Sequence, residues 1–129
     1  DIKDLIQDAE KQTQKNTGLT LVIALNYGAR AEVVRATKQL ASAVKSGEIE
    51  VDELTEDLFS SYLFTRDIPD PDVVIRTSGE QRLSNFLLWQ SAYSELLFIE
   101  TLWPDFDRST LEAAIKEFQL RERRFGARP

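Results

Sequence analysis

The chain has 129 residues, 42% hydrophobic and 29% charged, with a net charge of −6. That is enough for one domain around one modest core, and the acidic balance excludes bulk attraction to nucleic acid or an anionic bilayer. The absence of cysteine, histidine and methionine excludes disulfides, thiol catalysis, Cys/His zinc sites and a histidine base, leaving carboxylate, hydroxyl, lysine and arginine chemistry and a hard metal on oxygen ligands.

Residues Asp1 to Asn16 predict a helix with a narrow apolar stripe of Ile2, Leu5, Ile6 and Ala9, stopped by Asn16-Thr17-Gly18. Leu19 to Tyr27 is apolar on both faces and rich in branched residues, the pattern of a central strand in a parallel sheet. Gly28 turns the chain, and Ala29 to Ser46 reads as a helix with Val33, Thr37, Leu40, Ala41 and Val44 inward, ended by Gly47. Strand, glycine turn and helix form an α/β unit.

Glu48 to Asp57 is acidic and reads as solvated surface, a metal site being the lesser alternative. Asp52 is the expected cap of a short helix facing inward through Leu54, Leu58, Phe59, Tyr62 and Leu63. Pro69 and Pro71 force an extended entry into a buried strand, Val73 to Arg76. A polar turn, Thr77 to Ser84, follows. Asn85 to Tyr93 fits a short helix or a buried loop, with Asn85 able to cap it and Trp89 expected in the core. Leu96 to Leu102 is the third expected strand, broken by Pro104. Ser109 and Glu112 have capping-box spacing before a last helix with Leu111, Ala114, Ile115 and Phe118 inward. Three strands alone leave faces and edges uncovered, so more chain or a partner subunit is expected to complete the sheet. No apolar run approaches a membrane span, and no signal peptide is visible.

Arg76 and Arg82 flank a small-residue turn at a strand end, with Gly79 between them and Ser78 and Ser84 nearby. That pattern predicts an anion site in which both guanidinium groups grip phosphate oxygens and the hydroxyls donate further bonds. An arginine directly after buried aliphatics is costly without an anionic partner. The alternative is a pair of surface ion pairs, with Glu80 or the aspartate cluster. Glu95 sits beside an apolar strand and reads either as an ion-paired carboxylate or as a Mg²⁺ ligand near a bound phosphate. In a parallel sheet it lies at the opposite edge from Arg76, unless the Ser84–Tyr93 segment brings it back or it serves a second subunit. Asn26, Tyr27, Gly28 and Arg30 occupy a strand's C-terminal end, where open α/β sheets place ligands; a plain turn explains them equally well. The tail arginines Arg121, Arg123, Arg124 and Arg128 suit a helix C-terminus or a phosphate.

The run from Asp70 to Gln90, with Arg76-Thr-Ser-Gly-Glu-Gln-Arg-Leu-Ser84 at its centre, resembles the signature of the cis-prenyltransferases, the undecaprenyl diphosphate synthase family. Leu25-Asn-Tyr-Gly28, Leu102-Trp-Pro-Asp-Phe106 and Arg121-Glu-Arg-Arg-Phe-Gly126 are similar to other blocks of that family, in its order. The resemblance covers nearly the whole chain and implies an α/β fold with a mostly parallel central sheet flanked by helices. It implies a cytoplasmic homodimeric enzyme, with peripheral membrane association as an option. The implied reaction is Mg²⁺-dependent addition of isopentenyl diphosphate to an allylic diphosphate, usually farnesyl diphosphate. The cis-polyprenyl product, such as undecaprenyl diphosphate, is a lipid carrier for cell-wall synthesis that partitions to the membrane; nucleic acid has no part.

Carried onto this sequence, the resemblance gives Arg76, Arg82 and Ser84 the diphosphate of isopentenyl diphosphate, and Glu95 the placing of Mg²⁺. Arg124 and Gly126 become an Arg-x-Gly element reaching a diphosphate near the dimer interface. Gln81 stands where some relatives have histidine, which puts a proton role there in doubt. Nothing matches the family's N-terminal Asp-Gly-Asn-Gly-Arg-like block, which carries its catalytic aspartate. The chain also opens on Asp1 rather than methionine. The expectation is therefore residues 1–129 as the C-terminal part of a single cis-prenyltransferase domain, inactive or nearly so alone. The alternative is a non-catalytic accessory subunit of such an enzyme; a generic phosphate-binding module leaves the aromatic block after Asn85 unexplained.

Overall fold

A computed structural model describes residues 1–121. Its elements run in the order α1 (Ile2–Thr13), α2 (Ala29–Ser46), α3 (Glu56–Ser60), β1 (Val73–Arg76), β2 (Glu95–Phe98) and α4 (Arg108–Gln119), with 3-10 turns at Val51–Glu53 and Trp103–Asp105. β1 and β2 pair in parallel, Val73 opposite Glu95 and Arg76 opposite Phe98. The α/β class with a small parallel sheet is thus present, as a partial version of the layered fold.

The helix α2 forms over the predicted residues. Gly47 closes it in the left-handed conformation, at φ 74°, which glycine adopts without Cβ strain. Its buried face differs from the expected one. Ala29, Glu32, Ala36, Leu40 and Ala43 are buried, whereas Thr37 and Ala41 face an apolar groove shared with Leu54 and Phe59. The stripe is rotated because it carries a carboxylate that hydrophobic patterning leaves out. Leu63 and Leu97 are the largest fully buried side chains, and α4 contributes Ala114 to the buried set.

Three other expectations change. Leu19 to Tyr27 forms no strand, and Leu19, Leu21 and Ile23 are 96%, 78% and 71% exposed. A strand is a pairing, and no neighbouring strand meets this segment among the described residues. Nor does α1 bury any residue; its stripe of Ile2, Leu5 and Ile6 is open to solvent. The third expected strand is β2, four residues long and beginning at Glu95, after which the chain leaves regular pairing. Beyond it, Gly79 and Ser78 donate to the carbonyls of Ile99 and Thr101 (2.9 and 3.0 Å). With one edge unpaired, β1 is half-buried throughout rather than buried.

The caps also move. Thr55, not Asp52, accepts the Leu58 N–H and starts α3. Asp107, not Ser109, caps α4, its Oδ1 accepting from the Thr110 N–H and from the Ser109 and Thr110 hydroxyls, each at 2.8 Å. Glu112 is instead held by Arg108 at 2.7 Å. Asn85 to Tyr93 is a chain of turns rather than a helix, the buried-loop alternative, with Gln90 and Ser91 inside. No helix among the described residues is long and apolar enough to cross a membrane.

Candidate functional site

The site starts from β1. Its run of branched residues ends at Arg76, whose carbonyl accepts the Ile99 N–H at 2.8 Å. The backbone is thereby fixed where the side chain leaves the strand. Arg76 is half-buried, and no carboxylate pairs with it among the described residues. A guanidinium in that position lacks the counter-charge that partial burial calls for.

The turn that follows is bent sharply. Ser78 and Gly79 both take positive φ, 67° and 66°. A Cβ on Gly79 would meet only the movable end of Glu100, 2.6 Å from its Oε2, so it is the left-handed backbone that favours glycine here. Arg82, exposed, is ion-paired with Glu80. The surface ion pair weighed as an alternative is therefore present at Arg82, and absent at Arg76 among the described residues. Ser84 is exposed and also has positive φ.

A second segment is brought to this turn. Asn85 accepts the first two N–H groups of α2: its backbone carbonyl takes the Ala29 N–H and its side-chain Oδ1 the Arg30 N–H, both at 2.8 Å. Tyr27 packs edge-on against Phe86, with ring centroids 5.7 Å apart. Tyr27 and the start of α2 thus meet the end of the Arg76–Ser84 turn through Phe86 and Asn85, although the strand expected before them does not form. Asn85 caps α2 rather than the segment that follows it. Trp89 stacks on Phe59 at 4.5 Å and donates to Ser60, a packing role.

Behind the turn lies Glu32, which sequence reasoning missed. It is 2% exposed. Its Oε1 accepts the Phe64 N–H at 2.6 Å, and its Oε2 accepts the Tyr27 hydroxyl at 2.5 Å and the Gln90 amide at 3.2 Å. Burial, and then the bond to Glu32, push the Tyr27 phenol well above its ordinary value. The available signal was a charge at the right spacing within the Ala29–Ala36–Leu40 stripe, a place that charge occupies only with partners.

Glu95 is not brought to the anion turn. It lies opposite Val73 at the start of the ladder, whereas Arg76 is at the end, about 10 Å along the strand. Its carboxylate meets Arg121 at 3.2 Å, and Arg121 also donates to the Leu96 carbonyl and pairs with Glu117. These bonds, Glu117 first, raise the Arg121 pKa further. Within one chain Glu95 does not fit a metal bridging to the anion turn, since its oxygen already has a cation and its position is at the wrong edge. No group of three acidic side chains gathers for a metal among the described residues. Arg124 and Gly126 lie outside the described residues.

Residues 1–126 match a prenyltransferase family described as "Putative undecaprenyl diphosphate synthase". The chain is 59% identical over 126 residues to an isoprenyl transferase of Rhizobium meliloti, covering 98% of this chain and 51% of that protein. It is 53% identical over 124 residues to the ditrans,polycis-undecaprenyl-diphosphate synthase ((2E,6E)-farnesyl-diphosphate specific) of Micrococcus luteus, covering 96% and 50%. The chain thus spans about half the length of the curated relatives it matches. Among solved structures, lavandulyl diphosphate synthase from Lavandula x intermedia, in complex with dimethylallyl diphosphate, superposes with a TM-score of 0.91 at 39% identity, over 97% of this chain and 54% of that one.

Proposed function

The chain belongs to the undecaprenyl diphosphate synthase family of prenyltransferases, and we propose that it carries the isopentenyl diphosphate-binding part of a cis-prenyltransferase. In this reading Arg76 and Arg82 grip the diphosphate and Ser84 donates a hydroxyl, orienting the alkene toward an allylic diphosphate such as farnesyl diphosphate. Ionisation of the allylic diphosphate, attack by the alkene and loss of a proton lengthen the chain by one cis unit. Arginines stabilise the charge that develops on diphosphate oxygens.

The observation that carries the reading is Arg76, a half-buried guanidinium at the C-terminal end of β1 with no carboxylate partner among the described residues. Arg82 is available on exchange of the half-buried Glu80 for a ligand, because a pair at the surface is worth only about 0–1 kcal/mol. Mg²⁺ and a homodimer belong to the same proposal. Since Glu95 does not reach the anion turn of its own chain, its metal role requires the site of a neighbouring protomer, with Arg124 and Gly126 assigned to that boundary.

The test is calorimetric titration of the chain with isopentenyl diphosphate. Arg76→Ala should weaken binding at least tenfold, the loss of a charge-assisted contact of about 1.5–3 kcal/mol. Equal affinity in the variant sinks the assignment. An accessory subunit that merely supports a catalytic partner would bind the ligand in neither form.

A further inference from the structure

The N-terminus of α2 lacks a cap from its own segment, because its N-cap residue is Gly28, which has no side chain. The cap arrives from 55 positions downstream, in Asn85. Both acceptors of that residue are used at once, on two successive N–H groups. A helix start ordinarily takes such oxygens from its own N-cap residue. Supplying them from the far side of the site joins two segments that are otherwise distant in sequence.

The residues around Asn85 need such a fastening. Ser84, Asn85 and Leu87 all take positive φ, 49°, 64° and 46°. Asparagine tolerates this region; serine and leucine adopt it only when the surroundings hold them there. Gly28 is shaped for the contact as well. A Cβ placed on it would lie 2.9 Å from Asn85 Nδ2, although its φ of −148° is open to any residue. What favours glycine at position 28 is thus the proximity of the Asn85 amide, which a methyl group would displace, and not the backbone conformation.

We propose that Asn85 is a positioning residue for the anion turn: by capping α2 in trans it holds Ser84 and Arg82 in register with Arg76. It acts through the backbone and touches no ligand. The inference rests on the diphosphate reading of that turn. It also assigns Gly28 a purpose at the site, as the residue whose missing side chain admits the clamp.

The experiment titrates inorganic pyrophosphate into ¹⁵N-labelled chain and follows amide exchange at Ala29 and Arg30. Asn85→Ala should bind about tenfold more weakly, the scale of losing a cap, and exchange should quicken foremost at Arg30, whose side-chain acceptor is removed, while Leu40 stays protected. Gly28→Ala, which leaves every ligand-facing side chain in place, should weaken binding severalfold. In the Asn85→Ala background it should add nothing, because the new methyl then has room. Faster exchange with unchanged affinity would show a cap with no bearing on the site and overturn the proposal, as would additive losses from the two substitutions. Should the unmodified chain fail to bind pyrophosphate, the diphosphate reading itself falls and takes this inference with it. That outcome is recognised before any variant is compared.

Discussion

At the scale of single residues, Glu32 has the most to lose. Its carboxylate joins α2 to the Phe64 backbone, to Tyr27 and to Gln90 in a site closed to water. Alanine there removes the acceptor of the Phe64 N–H and of the Tyr27 hydroxyl, while the Gln90 amide keeps its bond to Thr65, and the cost should be about 2–4 kcal/mol. Glutamine keeps the shape and one acceptor and should lose about half as much. Urea unfolding of both variants measures the difference. Tyr27 adds a pH dependence of definite sign. Its folded-state pKa is raised, by burial first and by Glu32 second, so the fold favours the neutral phenol. The contribution is complete below about pH 10, the value for a free phenol, and is lost as pH climbs beyond it. Tyr27→Phe should flatten the alkaline limb of a stability–pH curve; an unchanged limb would assign it to another group.

At the scale of elements, helix α4 depends on one carboxylate. The Thr110 N–H foremost, then the Ser109 and Thr110 hydroxyls, hold the Asp107 carboxyl down at about 2. Because the folded value is lowered, the stabilisation is present above the free carboxyl's value of about 4 and disappears as pH falls toward 2. Exchange at the Thr110 amide should accelerate across that window, and Asp107→Asn, an uncharged cap, should remove the pH dependence. These caps show what a sequence does and does not disclose about elements. The bounds of α2 and β1 were legible, because Gly47, the prolines before Val73 and the branched run each act locally. The capping residues were not, since Thr55 and Asp107 compete with equally plausible neighbours and the winner is set by where the chain enters the helix. The turn after β1 was legible from the glycine and small polar residues close in sequence between Arg76 and Ser84. Glu32 and the trans cap by Asn85 were not, because each gains its meaning from partners tens of residues away. Glu95 illustrates the same limit: its composition suits a metal, while the parallel register places it beside Arg121 instead.

At the scale of the whole molecule, the decisive feature is apolar surface without cover. The segment from Leu19 to Leu25 has no regular structure, and among the described residues no backbone hydrogen bond joins it to a neighbour. Leu19, Leu21, Val22, Ile23 and Leu25 are all exposed, as are Ile2 and Leu5 of α1. Each large aliphatic side chain gains about 1.5–3 kcal/mol on full burial, and an open strand edge adds unsatisfied N–H and C=O groups that pair readily with another strand. The physics of this surface therefore calls for cover, from further chain or from a second copy, and the chain by itself is expected to associate. Sedimentation of the chain should show concentration-dependent self-association, together with binding of an apolar dye. Leu21→Lys with Ile23→Lys should shift the population toward monomer and reduce dye binding, because charge on an edge opposes pairing. Binding of diphosphate at Arg76 should survive the same double substitution, since the altered side chains lie in the unpaired segment rather than on the turn. A monomeric, dye-silent chain would mean that Leu19 to Leu25 finds cover in solution, and the exposed surface would then no longer account for how the molecule behaves.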